Sequence, residues 1–214
     1  ILNPWGKDKI LHDDIKKYCN DDMFRLLEYS TDVFPNALFV VVGYFPIVSP
    51  KTDTAKMLNA VLEAYGIPRP LKPFVNNILI RQFFKPMKKK ALKRSRIWVE
   101  DSNSGLETAV NRLNAKLGKQ RAVFVKALMP EDASFETKST QLITMGKNGR
   151  PNDAFYDTRR AECKKVLTEL KKSIKLNLPI RQCEVAGMGH PNPMGSKIYA
   201  DAIIEKLKIY LKVK

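Results

Sequence analysis

Two runs of β-branched and aromatic residues, "ALFVVVGYF" at 37–45 and "RAVFVKALM" at 121–129, set the terms for any fold this chain can adopt. Neither alternates apolar with polar. Such runs fit strands buried on both faces, as in a parallel sheet covered by helices, and strands are expected over 38–45 and 122–128. Parallel neighbours need a long crossover, and segments of helical period supply it. One helix is expected near 54–65. Another is expected over 103–117, where Leu106, Val110, Leu113 and Leu117 form an apolar stripe, Gly118 ends it, and Ser102 or Ser104 is the candidate N-cap. Residues 10–30 carry loose helical spacing at Ile10, Ile15, Tyr18, Phe24 and Leu27, broken at "TDVFPNA". A long polar loop at 130–155 precedes helices at 156–176 and 195–212. The closing helix is amphipathic, with Ile198, Ala202, Ile203 and Leu207 on its core face. This order points to an α/β fold with a mainly parallel sheet.

The strand count is low for that architecture. Only 180–185 offers a third, whereas a parallel sheet shielded on both faces generally uses four or more. Either the sheet is unusually small or further strands come from sequence before residue 1, and the second is the expectation. The opening "ILNPWGK" fits that expectation, since it has neither an initiator Met nor the layout of a targeting segment.

With 214 residues and 44% hydrophobic content, the chain can bury a core and fits one domain. No apolar run approaches the roughly 20 residues of a spanning helix. Cys19, Cys163 and Cys183 show no CxxC and no metal spacing, so no zinc site or other cofactor is indicated. A Cys163–Cys183 bridge in an oxidising compartment and three reduced, buried thiols are both compatible with that spacing.

The net charge of +16 favours anionic partners. Its densest cluster, "KPMKKKALKRSR" at 85–96, brings together Lys85, Lys88, Lys89, Lys90, Lys93, Arg94 and Arg96. "FVNNILIRQFF" runs straight into it, setting apolar side chains beside cations as segments at an anionic membrane surface do. A solvated helix face is the plainer alternative. Nucleic acid is disfavoured, because no recognition motif accompanies the charge.

The stretch "AGMGHPNPMGSKIYADAIIEKL" at 186–207 places His190, one of two histidines, in a turn of glycines and prolines ahead of the closing helix. Little side chain surrounds it there, so the imidazole is expected to be exposed yet held, as a proton-transferring group must be. His12, beside Asp13 and Asp14, reads as a solvated residue.

Taken in order, "FPNALFVVVGYFPIV", "SGLETAVNRLNAKLGKQRAVFVKALMPEDASF" and "GHPNPMGSKIYADAI" resemble the C-terminal part of SGNH (GDSL-type) esterases and lipases. The resemblance covers most of residues 25–207. It implies a flavodoxin-like three-layer α/β/α sandwich, with a basic insertion at about 66–96. It also implies an ester or lipid substrate and a serine nucleophile in an N-terminal Gly-Asp-Ser turn. A further glycine and the asparagine of a GxND motif would complete the oxyanion hole. His190 matches the family's base, with Pro191, Asn192 and Gly195 matching the turn that follows.

The chain departs from that pattern in two places. Gly187 stands where an orienting aspartate is often found, leaving a backbone carbonyl or Glu184 as substitutes. The Gly-Asp-Ser and GxND blocks are absent, so the N-terminal part of the same domain is the implied partner. "EDSNSG" followed by "GRPND" imitates the missing order. However, 190 − 102 = 88 residues from Ser102 to His190 hardly hold a doubly wound sheet, and Ser102 reads as a helix cap. The alternative function is a noncatalytic basic module that binds an acidic protein or an anionic membrane.

Overall fold

The structure, a computed structural model, describes residues 7–64, 78–126, 129–146, 148–175 and 179–211, without the side chains of 61, 63, 64 and 78–84. The chain divides into two compact units. The first comprises Ile1–Ser49, Lys89–Glu131 and Ser196–Lys214, and the second Pro50–Lys88 and Asp132–Gly195. The helices are α1 (Asp8–Ile15), α2 (Met23–Val33), α3 (Thr54–Ala64), α4 (Ile78–Leu117), α5 (Tyr156–Ser173), α6 (Ile180–Glu184) and α7 (Pro193–Leu211). The strands are β1 (Phe39–Val42) and β2 (Ala122–Val125).

The two expected strands form as neighbours but are shorter than expected, since residues 43–45 and 126 lie outside them. β1 and β2 pair in parallel, from Phe39 opposite Ala122 to Val42 opposite Val125. Phe39 N–H donates to the Arg121 carbonyl at 2.9 Å and Gly43 N–H to that of Val125 at 2.8 Å. Among the described residues the chain combines helices with a two-stranded parallel sheet, which makes it α/β in the coarse sense. The apolar-to-basic approach at 74–77 and the end of the second expected strand, at 127–128, lie outside the described residues.

In the first unit the core draws on Leu11, Ile15, Cys19 and Leu27, on Val41 and Ala122 of the sheet, and on Leu106, Val110 and Leu113 of α4. The loose spacing near the N-terminus has a physical cause. The buried or partly buried positions Leu11, Ile15, Cys19, Met23, Leu27 and Thr31 recur strictly every four residues. At 3.6 residues per turn each such step rotates the stripe by about 40°. The π-helical segment Lys16–Asp22 joins α1 to α2 and takes up that drift with its wider turns. Ile10 and Tyr18 face solvent instead.

The serines at 102 and 104 do not start a helix. They lie inside α4, which runs unbroken from Ile78 to Leu117. "SNSG" looks like a cap because these small polar residues favour caps, but here they permit a close approach. Ser102 is fully buried. A Cβ on Gly105 would stand 3.3 Å from Cys19 Cβ. Asn103 uses its carboxamide on β1's continuation, accepting from Tyr44 N–H at 2.7 Å and donating to the Tyr44 carbonyl at 3.1 Å. Gly43 must lack a side chain, since a Cβ there would lie 2.5 Å from Asn103 Oδ1.

The third expected strand, at 180–185, is also corrected: the structure has the short helix α6 there. Pro179 supplies the extended residue before it, and Arg181 reaches Glu184 one turn on, at 3.8 Å. A cystine and two arginines hold this segment, and none of them needs a sheet partner.

The closing helix keeps its expected faces. Ile198, Ala202, Ile203 and Leu207 are partly buried. Tyr199 donates its hydroxyl to the Gly43 carbonyl at 3.1 Å and sets its ring edge-on to Phe45. Burial of that phenol pushes its pKa up to about 12.

Candidate functional site

The second unit contains His190, and a series of backbone bonds runs through its turn. From α6 the chain advances by tight turns, with Met188 N–H donating to the Val185 carbonyl at 2.9 Å and His190 N–H to that of Gly187 at 3.2 Å. Gly189 has a φ of +78°, a conformation that glycine adopts without a steric penalty. There the turn meets the long loop edge to edge. Gly189 N–H donates to the Ile143 carbonyl at 2.9 Å, Ile143 N–H to that of His190 at 2.8 Å, and Asn192 N–H to that of Gln141 at 2.9 Å. Leu142 and Ile143 are buried and anchor the loop side of this bridge.

The residues after the histidine build the helix start. Asn192 Oδ1 accepts from Gly195 N–H at 3.0 Å, so Asn192 is the N-cap of α7 and Pro193 fills its first position. "HPNPMG" is thus a capping sequence that fixes where His190 stands. Its imidazole is exposed and has no hydrogen-bond or ion-pair partner among the described residues.

Glu184 does not serve as its orienter. Its carboxylate is buried and engaged by arginines: Oε1 accepts from Arg160 Nε at 2.9 Å, and Oε2 lies 3.8 Å from Arg181 Nη1. Beside that pair, Cys163 of α5 and Cys183 of α6 form a disulfide. The oxidised alternative therefore holds for these two residues. Cys19 remains a free, buried thiol whose pKa burial pushes up.

The "GRPND" stretch proves to be part of this scaffold. Met145 bridges to Pro151, Asn152 N–H donates to the Thr144 carbonyl at 2.7 Å, and Asp153 Oδ1 accepts from Phe155 N–H at 3.0 Å ahead of α5. Asp153 also ion-pairs with Arg159, whose guanidinium lies against Gly187. Sequence reasoning missed Arg159. The Asx turn of Asp153 before a helix was the one local signal, and it marks a cap rather than a partner.

Ser102 belongs to the first unit and is enclosed in its core, so no substrate reaches its hydroxyl. His12 is not merely solvated but is bonded through Nδ1 to Asp101. Among the described residues no group of three or more His, Cys, Asp or Glu is placed to hold a metal ion.

The basic cluster divides by role. Lys88 donates to the Thr52 carbonyl at 2.6 Å, Arg94 is buried with Asp8 Oδ1 at 3.5 Å, and Lys93 bonds Asp8 Oδ2 at 2.7 Å. Lys90 is half-buried, while Lys85, Lys89 and Arg96 are exposed. No described helix is long and apolar enough to cross a membrane. No protein-family profile, curated protein or solved structure matches the chain.

Proposed function

We propose that this chain carries the general base of a serine ester hydrolase of the SGNH type, completed by sequence before residue 1 into a flavodoxin-like sandwich. One observation carries the reading: an exposed imidazole, without a partner among the described residues, stands on a turn that backbone bonds to 141–143 and the Asn192 cap both fix. The "GHPNPMG" pattern on which the resemblance rests is the sequence of that turn.

In this reading His190 accepts the proton of a serine hydroxyl as its oxygen attacks the ester carbonyl carbon. The imidazolium then gives that proton to the departing alcohol. Water, deprotonated by the same imidazole, releases the acid and regenerates the serine. Preorganised N–H donors hold the oxyanion in both halves. None of the described residues accepts the other imidazole N–H, residue 187 carries no carboxylate and Glu184 is engaged elsewhere, so this reading assigns the orienting acceptor to a backbone carbonyl of the completed domain.

Ester hydrolysis is expected from a product that includes the preceding sequence and not from the 214-residue chain alone. A chromogenic short-chain ester measures both. Turnover by the isolated chain that a serine substitution within it abolishes would overturn the placing of the nucleophile.

A second reading, a noncatalytic module at an anionic membrane, is favoured by the exposure of Lys85, Lys89 and Arg96 along α4. Exposed charge is screened over about 8 Å at physiological ionic strength, so such binding weakens with salt. Replacing these three residues with glutamine should reduce sedimentation with phosphatidylserine vesicles, whereas Lys88→Gln should chiefly lower stability. Unchanged sedimentation of the triple variant would return the cluster to a solvated surface.

A further inference from the structure

Arg159 lies in the first turn of α5 but does not extend into solvent. Its Nη2 is ion-paired with Asp153 Oδ2, and the Asp153 side chain is only 4% exposed. Because Asp153 Oδ1 already accepts Phe155 N–H, the carboxylate is fixed before it receives the guanidinium. From this anchor the guanidinium rests on Gly187. A Cβ at residue 187 would stand 2.6 Å from Arg159 Cζ and 2.9 Å from Nη2, well inside contact distance.

A side chain at residue 187 would therefore push the guanidinium off its anchor on Asp153. In the 185–190 turn only Gly189 has positive φ, so Gly187 is not required by backbone conformation. The guanidinium needs the space. Arg159 Nη1 is buried without an acceptor, a cost the fold bears. Gly187 in turn accepts His190 N–H, so what fixes the one locates the other. Arg160, next on the helix, holds Glu184 just upstream.

We propose that Arg159, anchored by Asp153, is a positioning residue for His190: its guanidinium wedges the Gly187–His190 turn into place by packing and makes no bond to the imidazole. The proposal deepens the hydrolase reading and rests on it for its catalytic consequence. The geometric part stands apart from that reading. It requires Arg159 and Gly187 to act as one unit, so changing either should disturb the same atoms.

Two histidines make the test direct, because ring C–H proton signals can be assigned with His12→Ala. In the 214-residue chain, Arg159→Ala should move or broaden the His190 ring signals, leave those of His12 in place, and speed amide exchange at Ile143 and Gly189 about tenfold or more. Gly187→Ala should perturb the same signals when Arg159 is present and add nothing in the Arg159→Ala background. Arg159→Lys, which keeps the charge beside Asp153 and loses the planar group, should behave like Arg159→Ala and serves if that variant does not fold. Unchanged His190 signals and amides in these variants, or simple additivity with Gly187→Ala, would overturn the proposal. In the longer, active product Arg159→Lys should lower kcat with KM unchanged, and a raised KM with intact kcat would also overturn it. Absence of ester turnover in the unsubstituted product, with the spectral effects present, would remove the hydrolase reading and leave the geometric assignment standing.

Discussion

Replacing His190 with alanine in the product that includes the preceding sequence is expected to cut ester hydrolysis about 10²- to 10⁴-fold, the usual contribution of a general base. The fold should barely respond. The imidazole is exposed and has no partner among the described residues, and the backbone bonds of Gly189, His190 and Asn192 are left intact by alanine at 190. The deficit belongs in kcat, because proton transfer occurs in the transition state and not in substrate binding. His12→Ala is the matched control, since its ring bonds Asp101 in the other unit. Full activity of the His190→Ala product, measured on the same ester, would remove His190 as the general base.

Reducing the Cys163–Cys183 disulfide is expected to lower stability by about 3 kcal/mol, from the chain entropy released when a 20-residue closure is opened. The effect should be felt in the second unit, because α5 has little else to dock it. Only Tyr156 and Cys163 of that helix are buried, while Val166 and the following Ile174 face solvent. The bond also ties α5 to the segment that leads into the His190 turn. Urea titrations with and without reductant, repeated on a Cys163→Ser, Cys183→Ser double variant, measure the difference. Coincident midpoints would show that the arginine contacts alone hold α5. A bond of this kind persists in oxidising compartments, so material made under reducing conditions should behave like the double variant.

What could be read from the sequence depended on the range of the forces involved. The strands were legible because Val40 to Val42 and Val123 to Val125 declare burial on both faces within a few residues. The stripe Leu106, Val110, Leu113 was legible for the same reason at helical period. The start of that helix was not. Ser102, Asn103 and Gly105 obey tertiary demands from Cys19 and Tyr44, far away along the chain, and local chemistry read them as a cap. At 180–185 a cystine and arginine pairs replaced the sheet that the apolar residues suggested. His190 could be singled out by its turn, but Arg159 reaches that turn from another helix through a glycine, and glycine leaves no chemical trace of what packs on it.

The carboxamide of Asn103 has a consequence for how this sheet can grow. Phe39 and Gly43 spend their N–H groups on β2, so by the alternation of a strand Val40, Val42 and Tyr44 address the opposite edge. At Tyr44 that edge is already closed, both of its backbone groups being satisfied by one side chain. An added strand therefore finds hydrogen-bonding sites at Val40 and Val42 and a stop immediately beyond. Open edges invite indiscriminate pairing between copies of a chain. Asn103 shortens the invitation on this edge to two residues, which gives any incoming strand a fixed terminus to register against.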